Sequence, residues 1–361
     1  MKIKILFTFY VLFYIMIFSV SCTSIDSELS LFEEVNSIRY ILNTFMEKNN
    51  NKELFKVWHR LYAKPYSLNT EESINRYKIF KHKLSIIKSV NSKNLGYRFG
   101  LNQFSDLSSE EYRLKYLTRK VNKEEDQLNE LNSTEMNTLK NRNLQANTLE
   151  PINYSKFFNT PRDQKDCGSC WAFSATGALE GVIGKSLGKP IPYLSPQQLV
   201  DCDKKNDGCD GGFPQDAYAS YVLNVGLMDD TDYPYKAKDK TCAYKPGKKV
   251  TKVTGNKWCS NYKSKKCTTN IFYALLQQGP LAVGIDGAAI EMYESGIFKG
   301  KCPDDNHAVV AIGYGTEKGV NYWLVRNSYG ANWGEKGNIR VSTLSSNHAC
   351  FVENEGVLPL I

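Results

Sequence analysis

A chain of 361 residues that is 42% hydrophobic and 23% charged can bury one large core or two smaller ones, which excludes the disordered and collagen-like classes. The net charge of +8 is uneven: residues 1–148 hold 22 Lys and Arg against 16 Asp and Glu, and residues 149–361 hold 24 against 22. No aromatic-interleaved basic stripe or groove-reading motif accompanies the basic front, so no nucleic acid is expected as a partner. Its charge is read as solvating that part or docking it on the rest.

The first element is "MKIKILFTFYVLFYIMIFSVSCTS": two lysines, an apolar run to about Val20, then small residues. This predicts a signal peptide over residues 1–24, with an uncleaved anchor as the competing reading because the run is long. No later stretch approaches ~18 apolar residues, so no membrane attachment is expected after signal removal. The expected location is the secretory pathway, ending in a lysosome or vacuole or outside the cell.

From Glu33 to about Tyr116 the chain is charged and helix-periodic. Tyr77, Phe80, Leu84 and Ile87 fall on one helical face, and Glu72 and Arg76 form an i,i+4 pair. "YRFGLNQFSDLSSEEY" then reads as a strand-like piece, a turn and a new helix start. Residues 121–148 contain no aromatic, Gly or Pro and are rich in Asn, Glu and Lys, the texture of a protease-accessible linker. Asn132 and Asn153 open glycosylation-type acceptor patterns.

The texture changes at about residue 149. Trp171, Ala175, Ala178, Leu179 and Val182 have helical spacing, with Gly184 as the expected stop. "LSPQQLVDC" starts a helix, with Ser195 as N-cap, Pro196 at the first position and Gln198 closing a capping box. "HAVVAIGYG", "NYWLVRNS" and "GNIRVS" are short strand-like runs. Helices first and strands last give an α+β back part.

Cysteines narrow the chemistry. Of ten, Cys22 ends the signal and nine lie from Cys167 onward, an odd number for an oxidising space, so one thiol is left over. "CGSC" at Cys167–Cys170 could be a redox dithiol or half a zinc site. A thioredoxin-type motif needs a βαβ context, and zinc needs four ligands; neither surrounds it. A third reading fits better. Cys170 opens a helix whose dipole favours a thiolate. His307, 137 residues on, can hold and return a proton, and Asn327, 157 residues on, can orient the His. Gln164 and the Cys170 backbone N–H can face an oxyanion. His348, beside Cys350, is an alternative base.

These residues resemble the papain/cathepsin family of cysteine proteases. "CGSCW", "GCDGGFP", "YPY", "NHAVVAIGYG" and "NYWLVRNSYGANWGEKG" carry the likeness. So does the inhibitory prosegment pattern at Glu72, Arg76, Phe80, Lys83, Ile87 and Asn91, with Lys83 where the family has Asn. Gly100, Asn102, Phe104 and Asp106 complete a second prosegment motif, which marks the cathepsin L-like branch.

The resemblance implies a zymogen: propeptide 25–148, with an inhibitory prodomain at about 51–116 and a linker at 121–148, then a catalytic domain at 149–361. Its expected fold is a two-lobed papain-like one, with a helical lobe, a β-barrel-like lobe and the cleft between them. Cys170 is implied as nucleophile, His307 as general acid/base, Asn327 as its orienter and Gln164 in the oxyanion hole. Substrate-binding positions are Gly211, Gly212, Phe213, Pro214, Gly284, Asp305, Trp333 and Glu355. Glu355 falls at the floor of the main specificity pocket: neutral for an incoming Leu or Phe, ionised against an incoming Arg, or swung to solvent so that the pocket stays apolar. Gly211 and Gly212 have a plainer reading as turn residues.

Disulfides Cys167–Cys209, Cys202–Cys242 and Cys302–Cys350 are implied by the resemblance. Cys259 and Cys267, which the common pattern lacks, are predicted to pair with each other. Three departures concern the site: Tyr329 where the family has Trp, Lys165 where it has Gly, and Asn153–Tyr154 at the mature start. No cofactor or metal is implied. Expected partners are polypeptide substrates, the chain's own propeptide and cystatin-like inhibitors, with the protein a monomer. Acid-triggered cleavage near residues 144–151 and endopeptidase action are expected. A non-catalytic binding protein and a ligase acting through the same acyl-enzyme are the rival classes.

Overall fold

The computed structural model describes residues 37–47, 50–117, 149–248, 251–260, 267–345 and 349–361. The predicted signal segment with Cys22, the predicted linker 121–148 with Asn132, and His348 lie outside the described residues. The chain divides into two units, residues 1–50 and Asn51–Ile361. The first contains a helix over residues 37–47.

The second unit opens with α1 (Asn51–Leu61) and α2 (Glu71–Asn91). Thr70 caps α2 by accepting from the Ser73 amide. The predicted face is the buried one: Phe80, Leu84 and Ile87 turn inward, and Phe80 meets Phe55 and Trp58 of α1, each at 5.2 Å between ring centroids. Arg76 lies 3.7 Å from Glu72 but 2.7 Å from Glu111, so its stronger partner is on the next helix rather than its own. That helix, α3 (Ser109–Tyr116), starts in a full capping box between Ser108 and Glu111. Between α2 and α3, strand β1 (Tyr97–Phe99) pairs antiparallel with β5 (Tyr293–Phe298), so the front part adds a strand to the sheet of the back part.

In the back part, α4 (Cys170–Leu187) is the central helix. It runs past the expected stop at Gly184 and ends at Gly188, which takes the left-handed conformation (φ 75°) that a terminating residue needs. Gly184 serves closeness instead: a Cβ there would lie 2.6 Å from the Phe157 carbonyl oxygen. Helix α5 (Pro196–Cys202) has Ser195 as N-cap and Pro196 at its first position, as the sequence predicts. The capping box is only half made. The Gln198 amide reaches Tyr221 and the Gly226 carbonyl and accepts from Met228, tying α5 to the following segment.

Beyond α5 come β3 (Gly255–Ser260), α6 (Thr269–Leu276), β4 (Leu281–Ile285), β5, β6 (His307–Glu317), β7 (Val320–Arg326), β8 (Asn338–Ser342) and β9 (Glu355–Leu360). Among the described residues the sheet order is β1-β5-β8-β7-β6-β4-β9-β3, with β2 (Ile152–Asn153) on β6. Only β5 and β8 run parallel in that path. The strands His307–Glu317 and Val320–Arg326 are those read from the sequence. The result is the expected α+β, two-lobed fold with a helical prosegment.

Four disulfides occur among the described residues: Cys167–Cys209, Cys202–Cys242, Cys302–Cys350 and Cys259–Cys267. Cys170 keeps its thiol. Cys259 stands opposite Gly356 on β9, so the extra bridge ties the outermost strand, β3, to the segment leading into α6. Closing a loop of 8 residues is worth about 2.5 kcal/mol in the chain-entropy model. The double variant Cys259→Ser/Cys267→Ser should therefore melt roughly 5–10 °C lower by calorimetry. An unchanged melting temperature would show that this bridge constrains nothing.

Candidate active site

The site is assembled where α4 meets β6. Ser174, one turn into α4, donates its hydroxyl to the Val309 carbonyl at 2.6 Å. Cys170 is one turn before Ser174, and His307 is two residues before Val309. That one bond brings the start of the helix beside the start of the strand. The N-cap residue Ser169 makes no side-chain cap bond; its hydroxyl turns to Tyr235 at 2.6 Å. The positive end of the α4 dipole is therefore left to act on the Cys170 thiol.

His307 and Asn327 are both buried, and His307 Nε2 lies 2.8 Å from Asn327 Oδ1. The Ser328 amide also donates to that oxygen, at 2.7 Å, which fixes the amide orientation. The proton thus sits on Nε2, and Nδ1 is the basic nitrogen of the ring. Tyr329 stacks on the imidazole at 4.8 Å with the planes 22° apart and shields the His–Asn bond. Burial pushes the Tyr329 hydroxyl well above its ordinary value, so it stays protonated.

Gln164 is fully buried and gripped from several directions. Its Oε1 accepts from Ser328 at 2.6 Å, its backbone N–H donates to the Ser328 carbonyl, and its own carbonyl accepts from Tyr235. Its Nε2 donates to the Cys167 carbonyl at 3.0 Å and to the Tyr116 carbonyl at 3.2 Å. Tyr116 is the last residue of α3. A carbonyl of the front part therefore occupies the amide donor that the sequence assigned to an oxyanion.

Other predicted residues fall nearby. Gly211 has φ 118°, and a Cβ on Gly212 would lie 2.2 Å from Asn206 Oδ1, the atom that accepts from the Phe213 amide. Both glycines are thus required by the turn itself, as the plainer reading held. Phe213 and Pro214 are buried at the start of the next helix. Gly284 faces Ala308 across the β4–β6 ladder. The pairing of Ala282 with Val357 carries Gly284 and Glu355 toward the same level of the sheet. Glu355 and Asp305 are buried, so Glu355 is not swung into solvent here. Trp333 donates to the Glu291 carbonyl at 3.1 Å and packs edge-on against Tyr329. Among the described residues no group of three or more His, Cys, Asp or Glu side chains converges as a metal set.

The sequence reading missed the cover. Phe104, Tyr112 and Tyr116 all pack on Tyr329, and the Tyr112 and Tyr329 hydroxyls are 2.8 Å apart. The i,i+4 aromatic pair in "EEYRLKY" was the available signal. Lys83 was noted only as a departure. Its ammonium is buried in contact with the Glu291 carboxylate and donates to the Phe104 carbonyl. Burial pushes Glu291 upward, against the pull of Lys83.

Comparison with known proteins agrees with this geometry. The family model for "Papain family cysteine protease" matches residues 149–360, and that for "Cathepsin propeptide inhibitor domain (I29)" matches residues 55–112. The chain belongs to the papain family of cysteine proteases, and it is made as a zymogen with its own inhibitory propeptide. It is 36% identical over 315 residues to cysteine proteinase RD21A of Arabidopsis thaliana, covering 85% of this chain and 66% of that protein. It is 39% identical to chymopapain of Carica papaya, covering 82% of each. Among solved structures, digestive procathepsin L 3 of Tenebrio molitor superposes with a TM-score of 0.73 at 29% identity, covering 87% of this chain and 100% of that one.

The buried Lys83–Glu291 pair joins propeptide to peptidase and is testable. Lys83→Met leaves a carboxylate buried against an apolar chain, which should weaken docking by about 3 kcal/mol and raise the activity of unprocessed chain at neutral pH roughly 100-fold. Adding Glu291→Leu should restore most of the inhibition. Equal leak in the single and double variants would show that the pair does not hold the propeptide.

Proposed function

We propose that the chain is a cysteine endopeptidase in which the Cys170 thiolate attacks the scissile carbonyl and His307 is general acid/base. His307 Nδ1 takes the thiol proton and returns it to the leaving amine; water then enters, gives its proton to Nδ1 and releases the acid. Asn327 holds the ring through Nε2. The tetrahedral oxyanion sits between Gln164 Nε2 and the Cys170 backbone N–H. The observation that carries this reading is the Tyr116 carbonyl lodged on Gln164 Nε2, a carbonyl held where a substrate carbonyl would be attacked.

Gly211 and Gly212 leave backbone open for an extended substrate, in the manner of strand addition. The absence of any Cys between residues 23 and 166 removes a disulfide tether that would confine cleavage to chain ends. The proposed order of domains is signal peptide 1–24, propeptide 25–148 and catalytic domain 149–361. The protein would act in a lysosome, a vacuole or outside the cell, as a monomer open to cystatin-like inhibitors. No helix among the described residues is long and apolar enough to cross a membrane.

Activation is proposed to follow acidification. Burial alone would raise the Glu111 and Asp166 carboxyls, but the hydrogen bonds from Arg76 to Glu111 and from Lys115 to Asp166 outweigh it and hold both below the ordinary range. Their contribution is complete above about pH 4–5 and is lost as pH falls through the lowered values. Full-length chain should be inert at neutral pH and shorten in acid to a form starting within residues 144–151. That form should take one equivalent of a thiol-directed epoxide at Cys170, and Cys170→Ala should do neither. An N-terminus before residue 120 or after 156, or label elsewhere, counts against the scheme.

Glu355 is proposed to sit at the floor of the pocket lined by Phe213, Pro214, Gly284 and Asp305, which takes the residue preceding the cleaved one. An acidic side chain there attracts an incoming guanidinium. Cleavage after Arg-Arg should be lost in Glu355→Ala while cleavage after Leu-Arg persists. An unchanged ratio of the two rates would remove Glu355 from substrate recognition.

A further inference from the structure

The propeptide segment at the catalytic centre is basic, and each cation rests on a carboxylate of the peptidase. Tyr116 places its carbonyl on Gln164. Its neighbour Lys115 lies 2.6 Å from Asp166, and the Tyr116 hydroxyl donates to the same carboxylate at 2.6 Å. Three residues earlier, Arg113 lies 3.3 Å from Asp304. Asp166 stands on the helical lobe, four residues before Cys170. Asp304 stands on the β lobe, three residues before His307, held by its own amide on Asp286 and by Asn306 on its carboxylate. The two acids flank the stretch Arg113–Tyr116 from opposite lobes.

This stretch lies on a definite side of the thiol. Helix α3 covers Tyr329 and Gly287, and Leu117 approaches His307, since a Cβ on Gly287 would meet both. With Gly211 to Pro214 proposed above for the acyl half of the substrate, the Tyr329 side that α3 covers is the side left for the leaving half. Both carboxylates stay about half exposed even under the propeptide, with side-chain exposures of 58% for Asp166 and 49% for Asp304.

We propose that Asp166 and Asp304 select substrates with basic residues just after the scissile bond, the positions the propeptide fills with Arg113 and Lys115. The inference rests on the peptidase reading above and adds to it the charge of the leaving half. Each pair is surface-exposed and screened, so each should change the rate by about threefold, and the effect should fade with salt.

The test uses full-length chain processed to activity and quenched peptides sharing one Phe-Arg acyl half. Their leaving halves begin with Arg-Lys, Ala-Ala or Glu-Glu. At low salt, kcat/KM for the basic peptide should exceed that for the acidic one by about tenfold. The ratio should shrink at high salt and approach unity in Asp166→Asn/Asp304→Asn. A parent ratio at or below unity, or one unchanged in the double variant, overturns this inference and leaves the peptidase reading standing. Failure of the parent to cleave any of the three peptides overturns both.

Discussion

Everything at this site depends on how closely one helix can approach one strand. Helix α4 carries three close-packed glycines: Gly177 presses on β6 at Val310, while Gly181 and Gly184 leave no room for a side chain against Phe158, Pro280 and the Phe157 backbone. A Cβ on Gly177 would lie 3.1 Å from a Val310 methyl, and one on Gly181 would enter the Phe158 ring at 2.3 Å. Glycine costs helix stability, so these three residues are a price in propensity for contact. The return is positional: Ser174 reaches Val309, so the start of α4 and the start of β6 are joined close to Cys170 and His307 in the chain. Gln164 closes the arrangement from the other end through Ser328, the residue after Asn327. The proposed nucleophile, base, orienter and oxyanion donor are thus coupled through two interlobe hydrogen bonds.

The Tyr329 departure has a physical consequence that the sequence only hinted at. A shield over the His–Asn bond needs a large flat ring, and tyrosine supplies it, but its hydroxyl must find a partner when buried. In this zymogen the partner is Tyr112, whose oxygen also lies 3.1 Å from the Gly287 carbonyl. The propeptide therefore does more than block the cleft: it satisfies a polar atom that the substitution introduced. Once the propeptide leaves, that hydroxyl loses Tyr112 as its partner.

The legible parts of this structure were those written in local periodicity and chemistry. The α2 face, the Ser195 cap and the strands beginning at His307 and Val320 followed from spacing and turn residues. The candidate site was legible through the family resemblance, and the structure joins His307 to Asn327 and Gln164 to Ser328. The misreadings came where tertiary contact overrode local rules. Gly184 looked like a stop because glycine usually ends helices, yet here it answers the Phe157 backbone. Gln198 looked like a capping partner, yet its amide is worth more across a chain crossing than within its own turn. Contacts between residues far apart in sequence, such as Lys83 with Glu291 or Tyr112 with Tyr329, leave no local pattern to read.

Lys83 shows how such a contact can shape regulation. The family places Asn at this position, a neutral group that needs no counter-charge. A lysine must bring its charge into a dry interface, and desolvating two ions roughly cancels their attraction, so the pair adds little net affinity. What it adds is discrimination, since either partner is costly to bury alone. It also acts oppositely to the exposed Lys115–Asp166 pair in acid. Burial raises Glu291, so that carboxyl holds a proton more readily when docked than when released, and this opposes release as pH falls. Asp166, held low by Lys115 across the interface, favours release over the same range, and Glu111, held low by Arg76 within the propeptide, favours its loosening. Under the acid activation proposed above, the Lys115–Asp166 pair would promote opening and the buried Lys83–Glu291 pair would delay it.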